Sequence, residues 1–296
     1  MSPPGSSRKS TVLITGCSDG GLGSALAMAF HERGLRVLAT ARNPSKMASV
    51  KAKGIECLTL DVLSDTSIKA CVEEVIEMTG GSLDILLNNA GGGYQMPVSD
   101  LDLNRLRDLF DLNVFSYITV TNAFLPLIIK SRGKIINNTS LASLLAVPWN
   151  GAYSASKAAI AMLTETQRVE LQPFGIKVID LKTGSVKSNI FSKLDISLPP
   201  NSINLPAEDK IKEVMAATDA YENSPDADTW AKEVVGDVLK SSPPHWVWRG
   251  SHVWLAWLCS MIPTGWMDGK VKQMRGVDVL EQKVKEQNRP DGRSVG

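Results

Sequence analysis

The stretch TGCSDGGLG, residues 15–23, decides the fold, because it joins an apolar run ending at Thr15 to a helical pattern beginning near Leu22. A glycine-rich turn between a strand and a helix is the setting of a dinucleotide-binding loop. Glycines there let the backbone approach a pyrophosphate, whose charge the helix N-terminus stabilises. The stretch therefore predicts a cofactor-binding turn, with a purely structural turn as the alternative.

The glycines of this loop, at positions 16, 20, 21 and 23, fit the usual three-glycine fingerprint in more than one way. Aligned from the helix side, Gly21, Leu22 and Gly23 form the usual Gly-x-Gly, and the turn is one residue longer than the commonest form. We predict cofactor contacts from five residues of the loop: Gly16, Ser18, Gly21, Leu22 and Gly23.

Strand-like runs alternate with helical patterns along most of the chain. The predicted strands cover residues 11–15, 36–40, 56–60, 83–88, 133–138, 176–181 and 246–250, and the predicted helices cover 22–33, 65–78, 103–130 and 152–171. Short connections between alternating strands and helices indicate a parallel sheet with right-handed crossovers. The fold class is therefore α/β, a doubly wound parallel sheet of the Rossmann type, whose ligands bind at the carboxyl ends of the strands.

The composition is that of an ordinary globular chain of 296 residues, 43% hydrophobic and 21% charged, with a net charge of +1. The small charge argues against a nucleic-acid surface, because no basic excess is available to neutralise phosphates. The four cysteines are scattered, without a Cys-x-x-Cys pair or a His at ligand spacing, which favours reduced thiols and no metal site. We expect a cytoplasmic protein with a disordered lead-in at 1–9.

Four motifs downstream of the glycine loop carry a family resemblance. They are NNAG at 88–91, DLNVFS at 111–116, NNTSLAS at 137–143 and YSASK at 153–157. With these motifs, residues 10–190 resemble the short-chain dehydrogenase/reductase family. The resemblance implies one Rossmann-fold reductase domain, which we predict over 10–250, followed by a C-terminal extension over 251–296.

Tyr153 and Lys157 are four residues apart on a predicted helix and therefore share one face. A phenol titrates near pH 10, and we expect the neighbouring ammonium to lower that pKa, making Tyr153 a general acid for reduction. Ser140 ends a strand at the carboxyl edge, where its hydroxyl can hydrogen-bond a substrate oxygen. The resemblance adds Asn113 as the holder of a water that relays protons to Lys157. Ser143 is assigned to the pocket.

The end of the second strand selects the cofactor. In ATARN at 39–43, Thr40 and Ala41 stand where NAD enzymes carry an acid, and Arg42 follows. A guanidinium without a competing carboxylate suits a 2'-phosphate, so we predict NADP(H) as the cofactor. Asp19 in the glycine loop argues against this choice, because its negative charge would repel the phosphate. The alternative role of Arg42 is that of a solvated surface charge.

The resemblance implies further contacts to the cofactor, beside the adenine, its ribose and the nicotinamide. Asn88 is also placed beside the ribose, and Thr183 stands where the family has proline. The other cofactor-binding residues predicted are Asp61, Val62, Asn89, Ala90, Gly91, Tyr153, Lys157, Gly184, Val186 and Ser188.

Residues 189–226 are irregular and rich in Pro and Asn, with one predicted helix over 206–221. In the family this segment closes over the substrate, and a variable surface insertion is the alternative.

The C-terminal extension begins with eleven mostly apolar residues before Pro263, too few to span a membrane. After Pro263 the pattern is amphipathic. We expect Trp266, Met267, Val271 and Met274 on one face, and Asp268, Lys272 and Arg275 elsewhere.

Two placements of the extension stay open. It can lie in a membrane interface, at the periphery of the endoplasmic reticulum or of lipid droplets, and collect a lipid-like substrate there. Alternatively, it packs over the substrate cleft or against a second subunit. The apolar faces of helices 103–130 and 152–171 would suit the helix-bundle homodimer that the resemblance implies.

These features predict NADPH-dependent reduction of a ketone or aldehyde on a largely apolar small molecule, lipid-like or a secondary-metabolite intermediate. Within the family, the glycine loop, the second strand end and the Trp-rich tail most resemble fungal-type NADPH-dependent acyl-dihydroxyacetone-phosphate reductases and related carbonyl reductases. Two alternatives remain, NADP-dependent alcohol oxidation at the same site and a non-catalytic NADPH-binding scaffold.

Overall fold

The computed structural model describes residues 9–188, 197–216, 223–263 and 265–288. The predicted lead-in, except residue 9, lies outside the described residues, as do parts of the predicted substrate segment, 189–196 and 217–222. In the described chain, seven parallel strands form one sheet in the order β3-β2-β1-β4-β5-β6-β7. They are β1 Thr11–Ile14, β2 Arg36–Ala41, β3 Glu56–Thr59, β4 Ile85–Asn88, β5 Lys134–Asn138, β6 Lys177–Thr183 and β7 Trp246–Arg249. The predicted fold class is confirmed.

Helices cover both faces of the sheet. The α-helices in the described ranges are α1 Leu22–Glu32, α2 Ala48–Ala52, α3 Asp65–Thr79, α4 Leu103–Phe110, α5 Ser116–Ser131, α6 Gly151–Glu170, α7 Glu208–Ala216, α8 Ala227–Val238, α9 Val253–Cys259, α10 Asp268–Arg275 and α11 Val277–Gln287. Successive strand residues point to opposite faces, so Val12 packs on the side of α1 and α8 and Leu13 on the side of α3 and α5. The sheet is therefore buried on both faces, as parallel sheets require.

The strand order reverses at β1, which pairs with β2 on one side and β4 on the other. A crevice opens at such a switch point, outside the carboxyl ends of the strands. The hydroxyl of Thr15 fixes its floor by accepting hydrogen bonds from the backbone N–H groups of Asn89 and Ala90, both at 2.9 Å. The fold thus brings the glycine loop and the NNAG motif together.

The glycine loop ends as predicted, with Gly21 as the N-cap of α1 and Leu22 as its first residue. Gly16 has a φ of +75°, and a Cβ there would lie 2.9 Å from the Cα of Ala90. A Cβ on Gly23 would lie 2.4 Å from the carbonyl oxygen of Gly16. These two glycines are therefore required by close backbone packing.

Two predicted helices differ from the structure. The helix predicted over 103–130 is divided by a π-helical turn, Asp111–Phe115, between α4 and α5. The helix predicted over 206–221 begins only at Glu208, after the 3-10 turn Leu205–Ala207, and is described as far as Ala216. Pro206 is the second residue of that turn, where its ring fixes φ and it has no N–H to donate.

By length and apolar composition, the helical run Leu103–Ser131 could cross a membrane, and it passes that test in the described part of the chain. However, half of its most apolar window is buried inside the protein. Phe124 and Ile128 of this run are fully buried against the sheet. Core packing accounts for its apolar character.

The extension folds back onto the domain. Ser251 pairs with Ser185 in an antiparallel bridge, α10 and α11 pack on each other, and α11 contacts the turn at 205–207. The prediction that Trp266 shares the apolar face after Pro263 and that Arg275 lies elsewhere is wrong. Arg275 lines the cleft, whereas Trp266 is 78% exposed and does not line it. Trp266 precedes the first residue of α10, so helical periodicity does not place it.

Candidate active site

A cleft of about 1600 Å³ lies along the carboxyl edge of the sheet and is continued by the extension. Ser140, Tyr153 and Lys157 line it, whereas Asn113 and Gly23 do not. The cleft also brings together the other predicted cofactor residues: Gly16, Ser18, Gly21, Leu22, Arg42, Asp61, Val62, Asn89, Ala90, Gly91, Gly184, Val186 and Ser188. Residues as far apart in the sequence as Gly16 and Ser188 therefore share one cavity.

Ser140 and Tyr153 meet where β5 and α6 face the cleft. Burial raises the pKa of the Tyr153 phenol, and a hydrogen bond with the Ser140 hydroxyl lowers it by less. The expectation that Lys157 lowers this pKa is not met, because its ammonium is 5.8 Å from the phenol ring centroid and bonds elsewhere. In this structure the phenol therefore stays protonated, the form a general acid needs.

The Lys157 ammonium is buried and donates a 2.9 Å hydrogen bond to the carbonyl oxygen of Asn138. Burial lowers its pKa from 10.5 to about 8, and the carboxylate of Asp180 opposes that shift. It also lies 5.5 Å from the ring centroid of Tyr117, whose hydroxyl donates to the same carbonyl oxygen. The Asn138 carbonyl thus holds Lys157 in place.

Asn113 lies in the π-helical turn and is fully buried. Its side-chain oxygen accepts from the N–H of Gly92, and its amide donates to the Gly92 carbonyl and to the Ser156 hydroxyl. A Cβ on Gly91 would lie 3.1 Å from the Asn113 oxygen and 3.8 Å from the Lys157 nitrogen. Asn113 therefore stands behind the cleft wall, close to Lys157.

The paired asparagines of the sheet have separate roles. Asn88 donates hydrogen bonds to Asn137 and Thr121 in the core, and it does not line the cleft. It therefore supports the sheet, and the prediction that it lies beside the ribose is wrong. The Asn138 side chain donates to Asn89 and accepts from the Thr183 hydroxyl. Through its backbone and side chain, Asn138 thus joins four residues: Tyr117, Lys157, Asn89 and Thr183.

Ser143 is not a pocket residue. Its hydroxyl donates to the carbonyl oxygen of Ser140 at 2.6 Å, and it does not line the cleft. The 3-10 turn Leu141–Ser143 explains this, because it turns the side chain back toward residue 140. Ser140 itself caps that turn by accepting from the N–H of Ala142.

A buried ion pair that sequence analysis missed supports the site from β6. Lys182 and Asp180 are 3% and 0% exposed and 2.6 Å apart. The second oxygen of the Asp180 carboxylate accepts from the hydroxyl of Thr139, the residue before Ser140. Lys182 lies over the ring of Trp246, 5.2 Å from its centroid. The alternation of Asp and Lys on a strand whose faces are both buried is the sequence signal for this pair.

The glycine-loop end of the cleft carries basic residues suited to a phosphate. Arg42 and Lys46, both exposed, line it beside the loop. Asp19, the contrary acid, accepts from the hydroxyl and the N–H of Ser49, in the first turn of α2. Arg42 and Lys46 therefore place two positive charges beside the glycine loop. Lys46 was missed, although it lies four residues after Arg42.

The departure from proline at residue 183 has a local consequence. Thr183 continues β6 two residues beyond its predicted end. The next residue, Gly184, packs so tightly that a Cβ would lie 2.2 Å from the carbonyl oxygen of Ser251, and Gly250 opposite has a φ of +106°. This contact joins the cofactor edge to the first residue of the extension.

Other chemistry is limited in the described ranges. They hold no group of three His, Cys, Asp or Glu side chains placed to bind a metal. Burial raises the pKa of the Cys17 thiol to about 12, and it raises the pKa of the Cys71 thiol in the same way. Neither cysteine therefore forms the thiolate that a nucleophile needs.

Comparison with known proteins agrees with this geometry. A family model described as short chain dehydrogenase matches residues 10–197. The chain is 50% identical over 283 residues to a short-chain dehydrogenase/reductase of Pestalotiopsis microspora, covering 94% of this chain and 98% of the relative. It is 42% identical over 200 residues to the NADPH-dependent 1-acyldihydroxyacetone phosphate reductase of Schizosaccharomyces pombe, covering 66% and 68%.

A solved structure is also similar over almost the whole chain. It is a short-chain dehydrogenase from Streptomyces avermitilis with a TM-score of 0.73 and 26% identity, covering 96% of this chain and 100% of that one. The family prediction is confirmed by the matched residues and the identities. The chain belongs to the short-chain dehydrogenase family and is accordingly an oxidoreductase that uses a nicotinamide cofactor.

Proposed function

We propose that the chain is an NADPH-dependent reductase of a ketone or aldehyde on a largely apolar molecule. The observation that carries this proposal is that Ser140, Tyr153 and Lys157 line one cleft with the glycine loop. Beyond Tyr153 the same cleft is walled mainly by apolar side chains: Leu141, Leu144, Leu145, Val147, Val214, Met215, Leu255, Ile262, Met267, Val271 and Met274.

The roles of the chain's own residues follow from their contacts. The Ser140 hydroxyl orients the substrate oxygen, and Tyr153 gives that oxygen a proton as negative charge develops on it. Lys157 then returns a proton to Tyr153. The bound nicotinamide supplies the hydride. Because the Asn113 side chain is bonded to Gly92 and Ser156, we assign the relay water to its main-chain carbonyl.

The preference for NADP(H) is supported by Arg42 and Lys46 at the glycine-loop end, where Asp19 is engaged by Ser49. Two cations in reach of a 2'-phosphate favour it over a hydroxyl. The name of the fission-yeast relative, an NADPH-dependent reductase of an acylated ketone phosphate, supports both this cofactor and a lipid-like ketone.

The first experiment measures NADPH oxidation with a panel of apolar ketones and aldehydes, with NADH in parallel. We expect turnover with at least one carbonyl and loss of turnover in Tyr153→Phe. Lys157→Ala should lose both turnover and NADPH affinity. Faster oxidation of the matching alcohols by NADP+ near neutral pH would favour the oxidising alternative. Tight NADPH binding without turnover of any carbonyl would favour the scaffold.

We further propose a cytoplasmic homodimer that associates peripherally with membranes. The dimer is supported by exposed apolar residues on the outer faces of α5 and α6, including Ile129, Met162 and Val169. Membrane association is supported by Trp254, 69% exposed, and Trp266 in the extension, because tryptophan suits a membrane interface. Sedimentation equilibrium measures the dimer, and a monomer at all concentrations would contradict it.

A further inference from the structure

The part of the cleft lined by residues 95, 150 and 275 contains three buried polar atoms that lack a hydrogen-bond partner among the described residues. They are Oε1 of Gln95, Oδ1 of Asn150 and Nε of Arg275. All three residues line the cleft. A buried polar atom without a partner costs free energy, so each needs a ligand atom or a water.

Hydrogen bonds around one loop bring these residues together. The carbonyl oxygen of Trp149 accepts from the N–H of Met96, the neighbour of Gln95, at 2.8 Å. The Trp149 indole donates to the carbonyl oxygen of Arg275, also at 2.8 Å. Asn150 follows Trp149 and is the N-cap of α6, the helix that carries Tyr153. Asn150 therefore lies three residues before Tyr153, and the hydrogen bonds of Trp149 join the segments that carry Gln95 and Arg275 to the same loop.

The backbone of this loop is strained. Trp149 has a φ of +69°, a conformation that costs a non-glycine residue free energy. Trp149 is held there by two hydrogen bonds, one from the N–H of Met96 and one to the carbonyl oxygen of Arg275. Strain of this kind is kept where a site needs a fixed side-chain arrangement.

Arg275 is the unusual member, because its guanidinium is half-buried without an acidic partner. Burial alone lowers its pKa, with no carboxylate in the described chain acting against that shift. In the described chain its guanidinium donates one hydrogen bond, a long 3.3 Å contact to the carbonyl oxygen of Pro148. Arginine stays protonated in proteins, and its planar fork offers paired donors that match a carboxylate or phosphate.

Among the described residues no carboxylate forms an ion pair with Arg275. This includes Asp278, three residues later in the chain, one oxygen of which is buried without a hydrogen-bond partner. Glu213 accepts from Lys210 at 2.7 Å. Asp268 lies in the first turn of α10, almost two turns before Arg275. Lys270, on the same helix, is exposed and adds positive charge. An anion supplied by a ligand would therefore complete the site.

We propose that Arg275, flanked by Gln95 and Asn150, binds an anionic oxygen group of the substrate, a carboxylate or a phosphate. This inference rests on the proposed reductase function and narrows its substrate to an amphiphile. The carbonyl is reduced at Tyr153, the apolar body lies along the cleft wall, and the anionic group is held by the extension. Gln95 and Asn150, whose amides can donate or accept, bind the group's remaining oxygens or a neighbouring hydroxyl.

The test compares matched carbonyl probes. Methyl-ketone carboxylates of increasing chain length, their methyl esters and the corresponding ketone phosphates are assayed with NADPH. For the best chain length, we expect kcat/KM of wild type for an acid or phosphate to exceed that for the ester at least tenfold. Arg275→Met should reduce this ratio to near one and change the ester rate less than twofold. Arg275→Lys should retain part of the ratio, and the control Lys283→Met, at an exposed position that does not line the cleft, should retain all of it.

A binding measurement keeps the inference testable if turnover is absent. Octanoate and octyl phosphate should raise the melting temperature of the NADP+-loaded protein more than octan-1-ol does, and Arg275→Met should remove the difference. Whether the carboxylate or the phosphate gives the larger shift identifies the group. Equal rates for acid and ester in wild type, or a preference unchanged in Arg275→Met, would overturn the anionic subsite while leaving the reductase intact. Failure of every carbonyl would instead contradict the reductase.

Discussion

The two ends of the cleft are built differently. The glycine-loop end is formed by turns that leave the carboxyl ends of strands, and its backbone is held by contacts such as Gly23 against Gly16. The extension end is formed by short helices, and α9 exposes Trp254 and Trp257 by 69% and 46%. The first end is rigid through backbone packing, whereas the second depends on side chains laid over the domain.

This difference indicates a division of labour. The sheet edge, together with α6 packed on β6, positions the groups shared by the family chemistry. The extension selects what else enters the cleft, because side chains of helices can vary without disturbing the sheet. Substitutions at the first end should therefore affect catalysis or folding, and those at the second should affect substrate choice.

The largest effect is expected from Tyr153→Phe at the rigid end. Removing a general acid costs about 10²–10⁴ in rate, so reduction of any accepted carbonyl should fall by that factor. NADPH affinity, measured by fluorescence quenching, should change less than threefold, because the ring is kept. Near-normal turnover would show that another group protonates the substrate.

A stability test compares two glycines. Gly23→Ala would place a Cβ 2.4 Å from the Gly16 carbonyl oxygen, and we expect the free energy of unfolding to fall by about 1–3 kcal/mol, with weaker NADPH binding. The matched control is Gly236→Ala in α8, where a Cβ would meet nothing within 4 Å. Alanine should stabilise that helix by about 0.5–1 kcal/mol. Urea unfolding measures both, and equal effects would contradict the backbone contact.

The pH profile tests Lys157. Burial lowers its pKa to about 8, so the ammonium is present below that pH and is lost above it. Because kcat/KM reports the free enzyme, reduction should be flat near pH 7 and fall about tenfold per pH unit above 8. Asp180 opposes the shift, and Lys182 faces Asp180. The double variant Asp180→Asn with Lys182→Met removes both charges and should move the fall to lower pH. An unmoved profile would exclude this coupling.

A smaller effect is expected for cofactor choice. Wild type should bind NADPH at least tenfold more tightly than NADH, about 1.4 kcal/mol. Arg42→Ala should lose most of that preference, and Lys46→Ala part of it, because both line the cleft beside the glycine loop. Isothermal titration with both cofactors measures this. A preference unchanged in the double variant would leave the two cations as solvated surface charges.

The sheet could be predicted from the sequence because its signals are local. Apolar runs bounded by turns predicted all seven strands, and the motifs placed Ser140 and Tyr153 in one cleft. The hydrogen bonds of Asn138 were missed because they join distant segments and became visible only with the strand register. The ion pair of Asp180 and Lys182 is local, but it was missed because it depends on the burial of both side chains.

The predictions of the Tyr153 pKa and of the position of Arg275 were wrong for another reason. Both depend on burial, which is a property of the folded cleft and not of sequence spacing. Four-residue spacing predicted correctly that Tyr153 and Lys157 share a helix face, but the ammonium bonds to Asn138. Helical periodicity after Pro263 could not anticipate that Arg275 would turn toward Pro148.

The smallest expected effect concerns membrane binding. Measuring it tests whether the extension after residue 250 has a function separate from that of the reductase domain. Trp254, Trp257, Met261 and Trp266 are 46–78% exposed, so their burial in a lipid interface would be favourable. Wild type should sediment with liposomes that contain anionic lipid, whereas protein ending at Gly250 should stay in the supernatant. Because truncation also removes Arg275, a full-length variant with the three tryptophans changed to serine is the sharper comparison. If it binds NADPH like wild type and sediments equally, the exposed tryptophans contact protein, and the extension is a cleft cover or a dimer contact.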